Sequence, residues 1–333
     1  MVSTLAYDLM VAIVCSALFA LIVFLVLVII FKKRSVKFKP EENISISIRP
    51  CAYMYHLTDI DAATDGFNHR CVLGRGRLGT VYGAVLATGD AVIVKRIHPH
   101  LVLSNAGSSF SSVIRSLSLL AHPHVVPIVG YSEAPGERII MMELMGMKSL
   151  DFHLHQNSEA STTLLDWGRR IRIAAGAARG LEYLHEGTAP SVVHGSIKPS
   201  NILIDLNLDA RISDYGLSFL APQDWGGLVG YLDPEYWIEK GGVCKASDVY
   251  AFGVVLLELL SGRSCDEGMI VQWALPLIKK SRVVEVLDPI LVKPLDMKPL
   301  ARLAKVASAC VSNTRKNRPS IAQVATILNN LQL

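Results

Sequence analysis

"VLGRGRLGTVYGAV", Val72 to Val85, followed after a short gap by "AVIVKRI", Ala91 to Ile97, decides how this 333-residue chain reads. The β-branched and apolar residues on either side of the glycines predict a strand hairpin, and the next strand carries Lys95. Gly74, Gly76, Gly79 and Val81 fit the pattern G-x-G-x-x-G-x-V. Glycine has no β-carbon, so a hairpin built this way lets its backbone come close to phosphate groups. Three glycines alone describe many turns. A strand lysine at this spacing narrows the reading.

Further pieces follow in a fixed order. "MMELMGMKSLDFHLH" begins at Met141, "IRIAAGAARGLEYLHEG" at Ile171 has apolar residues at helical spacing, and "VVHGSIKPSNILID" runs from Val192 to Asp205. "ISDYGLS" holds Asp214, Tyr215 and Gly216, "GYLDPEYW" holds Pro234 and Glu235, "KASDVYAFGVVLLELLSG" holds Asp248, and "NRPSIAQV" holds Arg318. Taken together with "LTDIDAATDGF" from Leu57 to Phe67, they resemble a protein kinase domain of the plant receptor-like type, spanning residues 57–333.

The resemblance implies an α+β, two-lobed protein kinase fold with a small β-rich N-lobe and a larger helical C-lobe. It also implies ATP and Mg as cofactors. A retained nucleotide site would use Gly74, Gly76, Gly79, Val81, Ile93, Lys95, Met142 at the gatekeeper position, Glu143, Met145 and Leu203. Asn201 and Asp214 match the metal-ligand positions, and Lys198 matches the catalytic-loop lysine. Glu235, Asp248 and Arg318 match structural positions, with Arg318 expected to pair with Glu235. Such buried pairs hold the fold whether or not the chain is active, because breaking one costs about 3–5 kcal/mol.

Activity depends on other residues, and several of these depart from the family's pattern. In the catalytic loop the arginine position is Gly195 and the catalytic aspartate position is Ser196. A general base of this kind contributes about 10²–10⁴-fold, and a serine hydroxyl is no comparable base near neutral pH. The helix glutamate that should hold Lys95 falls on Val113, and no Asp or Glu occurs between Asp90 and Glu133. Lys95 is therefore expected to lack its partner. Between Gly216 and Pro234 only Ser218 carries an aliphatic hydroxyl, and Leu228 stands where receptor-like kinases usually have threonine. Ile93 replaces the alanine that lies under adenine in the family. Two readings of Asn201 and Asp214 stand side by side: ligands of a retained nucleotide site, or polar structural residues.

Outside this domain, "MVAIVCSALFALIVFLVLVIIF" from Met10 to Phe31 predicts a single transmembrane helix, long enough to cross a bilayer core. Lys32, Lys33, Arg34, Lys37 and Lys39 follow it, which puts the domain on the cytoplasmic side by the positive-inside rule. Residues 1–9 are expected outside, without an extracellular ligand of their own, and residues 32–56 form a basic linker of no clear period. The net charge of +4 is too small to argue for nucleic acid, and six scattered cysteines without a CxxC pair suit a reducing compartment. The expected location is the plasma membrane, with the lipid bilayer and other receptor-like kinases as partners. Three functions remain: an inactive scaffold or allosteric partner in receptor kinase signalling, a weakly active serine/threonine kinase, and an ATP-binding switch without transfer.

Overall fold

In a computed structural model, residues 51–104, 109–146, 148–156, 165–222, 226–239, 242–265 and 269–331 are described. The predicted membrane helix at 10–31 lies outside them. Among the described residues no helix is long and apolar enough to cross a membrane.

The N-terminal lobe runs through β1 (Tyr53–Met54), α1 (Leu57–Ala63), β2 (Val72–Arg75), β3 (Gly79–Val85), β4 (Ala91–Ile97), α2 (Pro99–Ser104), α3 (Phe110–Ser118), β5 (Ile128–Ala134) and β6 (Glu137–Glu143). The strands form one sheet in the order β1-β5-β6-β4-β3-β2, antiparallel except for the β1–β5 pair. Side chains on a strand alternate between faces, and each face here has its own apolar set. Tyr82, Ala84, Val92, Val94, Ile139 and Met141 pack with Ile60 of α1. Ile97, Ile128, Ile140 and Met142 belong to the larger core together with Phe110, Ile114 and Leu117 of α3. These last three recur at helical spacing, which is why α3 lies with that stripe against the sheet.

The helical lobe contains α4 (Trp167–Glu186), the hairpin β7 (Ile202–Ile204) and β8 (Ala210–Ile212), α5 (Pro234–Glu239), α6 (Lys245–Ser261), α7 (Met269–Lys279), α8 (Lys298–Cys310) and α9 (Ile321–Asn329). Asp166 caps α4 by accepting from the Arg169 N–H at 2.8 Å. Helix α6 is buried from Ser247 to its end, as its apolar composition on all sides requires. Its buried Asp248 meets the loop that follows α4. Arg170 crosses the interior to Asp288 at 2.7 Å and also donates to the carbonyls of Leu165 and Leu259. Both lobes expected from the sequence are therefore present, β-rich first and helical second.

One boundary differs. Cys51 to His56, read as the end of a linker, includes strand β1, because the edge of β5 offers unpaired backbone groups that this segment takes up.

Candidate functional site

Strand β4 places Lys95 opposite Val81 on β3 and Ile140 on β6. The lysine is buried, and its ammonium donates to both carboxylate oxygens of Asp214. This corrects the expectation that Lys95 stands unpaired. The acid comes from the turn after β8, not from α3. A buried ammonium must find an anion, and Asp214 is the carboxylate that the turn delivers. Asp214 itself has a left-handed backbone, φ +63°, which is unusual for a residue with a β-carbon. The Tyr215 hydroxyl fixes the turn by donating to the Val126 carbonyl at 2.9 Å, and the Gly216 N–H donates to the His194 carbonyl at 3.2 Å. Val113 packs against the core as an ordinary apolar residue of α3.

The loop bearing Gly195 and Ser196 is suspended from Asp248. The N–H groups of His194 and Gly195 donate to its two oxygens at 2.7 and 2.8 Å, and His185 Nε2 lies 2.9 Å from one of them. Ser196 is buried, with its hydroxyl 3.4 Å from His194 Nδ1 and 3.5 Å from the Asp214 carbonyl. The Asn201 amide donates to the Ser196 carbonyl at 2.8 Å. His194 is fully buried, and burial holds its pKa below the ordinary histidine range, so the imidazole is neutral. The Ser196 N–H approaches His194 Nδ1 at 3.3 Å, which makes that nitrogen the acceptor and puts the ring proton on Nε2. Asp205, the nearest later acid in the chain, accepts from the Asn207 and Asp209 N–H groups and pairs with Arg211. It closes the β7–β8 turn.

Gly195 has φ +76°, and a β-carbon there would stand 2.8 Å from Ser218 Oγ and 3.3 Å from Val243. The space in which an arginine side chain would begin is taken by the segment after Gly216. Buried Leu228 lines a small apolar cavity with Gly195, Ser196 and Val243. Sequence reading found the loss at Gly195; the filling of its place by Ser218 becomes visible only in three dimensions.

On the nucleotide side, the loop of Gly74, Gly76 and Gly79 closes on itself. The Gly76 N–H donates to the Gly79 carbonyl at 2.9 Å and the Gly79 N–H to the Gly76 carbonyl at 3.3 Å. Arg77 at the loop's tip donates to the Ala221 carbonyl at 2.9 Å, and His98 Nε2 lies 3.0 Å from the Gly76 carbonyl. Ile93 is paired in register with Met142 and Gly83. Met142 and Met145 are buried, while Val81, Ile93, Glu143 and Leu203 are half-buried. Lys198 approaches the Gly227 carbonyl at 3.5 Å. Burial pulls its pKa down, Asp214 opposes this, and Arg77 and Lys95 add to the lowering. Lys198 thus feels two cations, Arg77 and Lys95, and two carboxylates, Asp214 and Asp151.

In this arrangement several polar groups at the nucleotide positions are already engaged by one another. Both Asp214 oxygens accept from the Lys95 ammonium and two loop N–H groups are used within the loop, while Asn201 donates through its amide nitrogen to the Ser196 carbonyl, a bond that leaves its Oδ1 free. Admitting a metal requires Lys95 to give up Asp214.

The structural positions bring a second correction. Arg318 reaches Asp233 at 3.4 Å, not Glu235, and the same carboxylate takes Arg315 at 3.0 and 3.1 Å. Asp233 is fully buried and so holds both guanidinium groups, while partly exposed Glu235 lies 3.7 Å from Arg315.

Comparison with known proteins agrees with this architecture. The family model for the protein kinase domain matches residues 67–327. A probable LRR receptor-like serine/threonine-protein kinase of Arabidopsis thaliana is 39% identical over 84% of this chain and 31% of its own length. A probable serine/threonine-protein kinase of the same plant, PBL7, is 37% identical over 84% of this chain and 78% of its own. The chain therefore spans about a third of the first relative and most of the second. Among solved structures, the pseudokinase domain of BIR2, an immune regulator of the RLK/Pelle family, matches with a TM-score of 0.71 and 31% identity. That match covers 86% of this chain and 91% of the other.

Proposed function

This chain belongs to the protein kinase domain family, with plant receptor-like kinases among its relatives, and we propose that it is a catalytically inactive member working by contact. Protein kinase domains generally bind ATP and magnesium for phosphoryl transfer, and catalysis there is positioning and charge neutralisation around the phosphates. The observation that carries the proposal is Ser196. It occupies the catalytic-base position, is buried, and has its polar atoms turned to His194, Asn201 and the Asp214 carbonyl. A serine held by its own loop takes no proton from a substrate hydroxyl at neutral pH.

The role left to such a domain is that of a membrane-anchored scaffold or allosteric partner of active receptor-like kinases. Anchoring through residues 10–31 would confine both partners to one surface, so that a modest contact suffices. Genetic complementation tests this reading. Ser196→Ala should rescue a null mutant as well as the unaltered chain does. Deletion of residues 10–31 should abolish rescue, and a receptor-like kinase with an ectodomain should co-purify from membranes. Failure of Ser196→Ala to rescue, although it folds and localises normally, would overturn the reading.

A second reading, an ATP-binding switch without transfer, draws its support from the presence of Lys95, Lys198 and Asp214 together, two cations suited to phosphate and a carboxylate suited to a metal. Nucleotide must then displace the Lys95–Asp214 pair, an exchange with a stability signature that thermal shift reads.

A further inference from the structure

Helix α3 is held from two sides, and neither hold involves Lys95. At its start, Ser111 hydrogen-bonds Glu133 on β5, Glu133 pairs with Arg138 on β6 at 2.9 Å, and the Arg138 guanidinium lies over the Phe110 ring. At its end, the Ala52 N–H donates to Ser118 Oγ at 2.9 Å, and that hydroxyl donates onward to the Arg115 carbonyl at 2.7 Å. Ala52 is itself part of the core. The next two residues form β1, parallel to β5, with Tyr53 opposite Gly130 and Met54 opposite Tyr131. The Tyr55 N–H then donates to the Tyr131 carbonyl at 2.9 Å. Gly130 makes this course possible, because a β-carbon there would come within 2.5 Å of the Tyr55 ring.

In an active kinase the corresponding helix is coupled to the nucleotide site through its glutamate and the strand lysine. Here Val113 breaks that coupling and Asp214 has taken the lysine. Beyond core packing, in which Leu117 lies against Gly216, the hydrogen bonds that hold the end of α3 come from the stretch of chain that precedes the lobe.

We propose that Cys51–Tyr55 is a strap that sets the position of helix α3, so that the helix answers to the chain arriving from its N-terminal side and not to nucleotide. The strap is short, held by the Ala52 N–H and the Cys51 thiol at Ser118 Oγ, by the same thiol at the Arg115 carbonyl and by a few backbone pairings, so it releases without unfolding the sheet it borders. Displacing it frees the end of α3 and uncovers the β5 edge together.

Hydrogen–deuterium exchange on the full chain in lipid nanodiscs tests this. Ser118→Ala removes the acceptor for Ala52, and Gly130→Val drives the Tyr55 ring away. Both should speed exchange at residues 110–118 by about tenfold, as expected for losing one hydrogen bond to a buried group. Residues 91–97 and 137–143 should exchange as before. Ser118→Thr keeps the hydroxyl and should behave as the unaltered chain. If Gly130→Val does not fold, Ser118→Ala decides alone. Unchanged protection of 110–118 once 51–55 exchanges freely would overturn the proposal, as would protection of 110–118 that rises with ATP and magnesium.

Discussion

Lys95→Met, the substitution that silences an active kinase, should act here first on stability. Lys95 and Asp214 are 8% and 9% exposed and bonded to each other. Removing one partner of a buried pair costs about 3–5 kcal/mol, because the other charge stays buried without compensation. Lys198 attracts Asp214 as well, which places the lysine variant near the lower end of that range. For a domain of this size 1 kcal/mol moves Tm by about 2–4 °C, so roughly 3 kcal/mol is a fall of about 6–12 °C. Asp214→Asn should cost a comparable amount through the orphaned ammonium; asparagine tolerates the left-handed backbone at that position. The double variant should be less destabilised than the sum of the two, with a coupling of about 2 kcal/mol. Denaturant and thermal unfolding of the chain and its three variants in detergent provide the cycle. A cost below about 1 kcal/mol for Lys95→Met, or additivity within about 0.5 kcal/mol, would show that the two side chains are not an energetically coupled buried pair. If the cycle holds, Lys95→Met is not a clean probe of catalysis in this chain, and Ser196→Ala is the better one.

Nucleotide binding at a hundred times Kd would add about 2.7 kcal/mol, an easily visible shift, yet ATP with magnesium should move Tm little. Ile93→Ala, widening the slot beside Met142, should enlarge whatever shift occurs, and a large shift that this substitution leaves unchanged would count against the pocket described. Gly195→Arg should destabilise by about 1–3 kcal/mol without restoring activity, since its β-carbon meets Ser218 and its backbone is left-handed. Urea midpoints at or above the unaltered chain's would contradict this. His122 is held mainly by burial at a pKa of about 4, and burial likewise lowers His194. With folded pKa values below the unfolded value, the unfolded chain binds protons first. Stability is therefore complete above about pH 6.5 and declines as pH falls towards 4. His122→Phe keeps a ring stacked on Tyr183 and should flatten that decline in pH-dependent melts; an unaltered slope would show another group responsible.

The two lobes were legible because their signals are local and ordered. Glycine-rich hairpin, lysine strand, apolar helices and capping residues each imply their own element, and their sequence along the chain leaves little choice of fold. Val113, Gly195 and Ser196 could also be read directly, as residue types that lack the required chemistry. Partner exchange could not. That Asp214 takes Lys95 depends on a turn 119 positions away, and that Asp233 outcompetes Glu235 for Arg318 depends on which carboxylate is buried. The strand at Tyr53–Met54 escaped notice because two residues show no period, and only the open edge of β5 gives them a structure. Gly195 looked like a simple loss, whereas Ser218 has grown into its space.

The central claim, that Ser196 leaves this kinase fold without phosphoryl transfer, is tested most directly by radiolabelled phosphate incorporation. The purified full chain is incubated with ATP and magnesium or manganese, alone and with generic protein substrates, beside a related active kinase. No incorporation above a heat-denatured control is expected. Incorporation by the unaltered chain that Asp214→Asn abolishes, in a variant verified as folded, would contradict the claim.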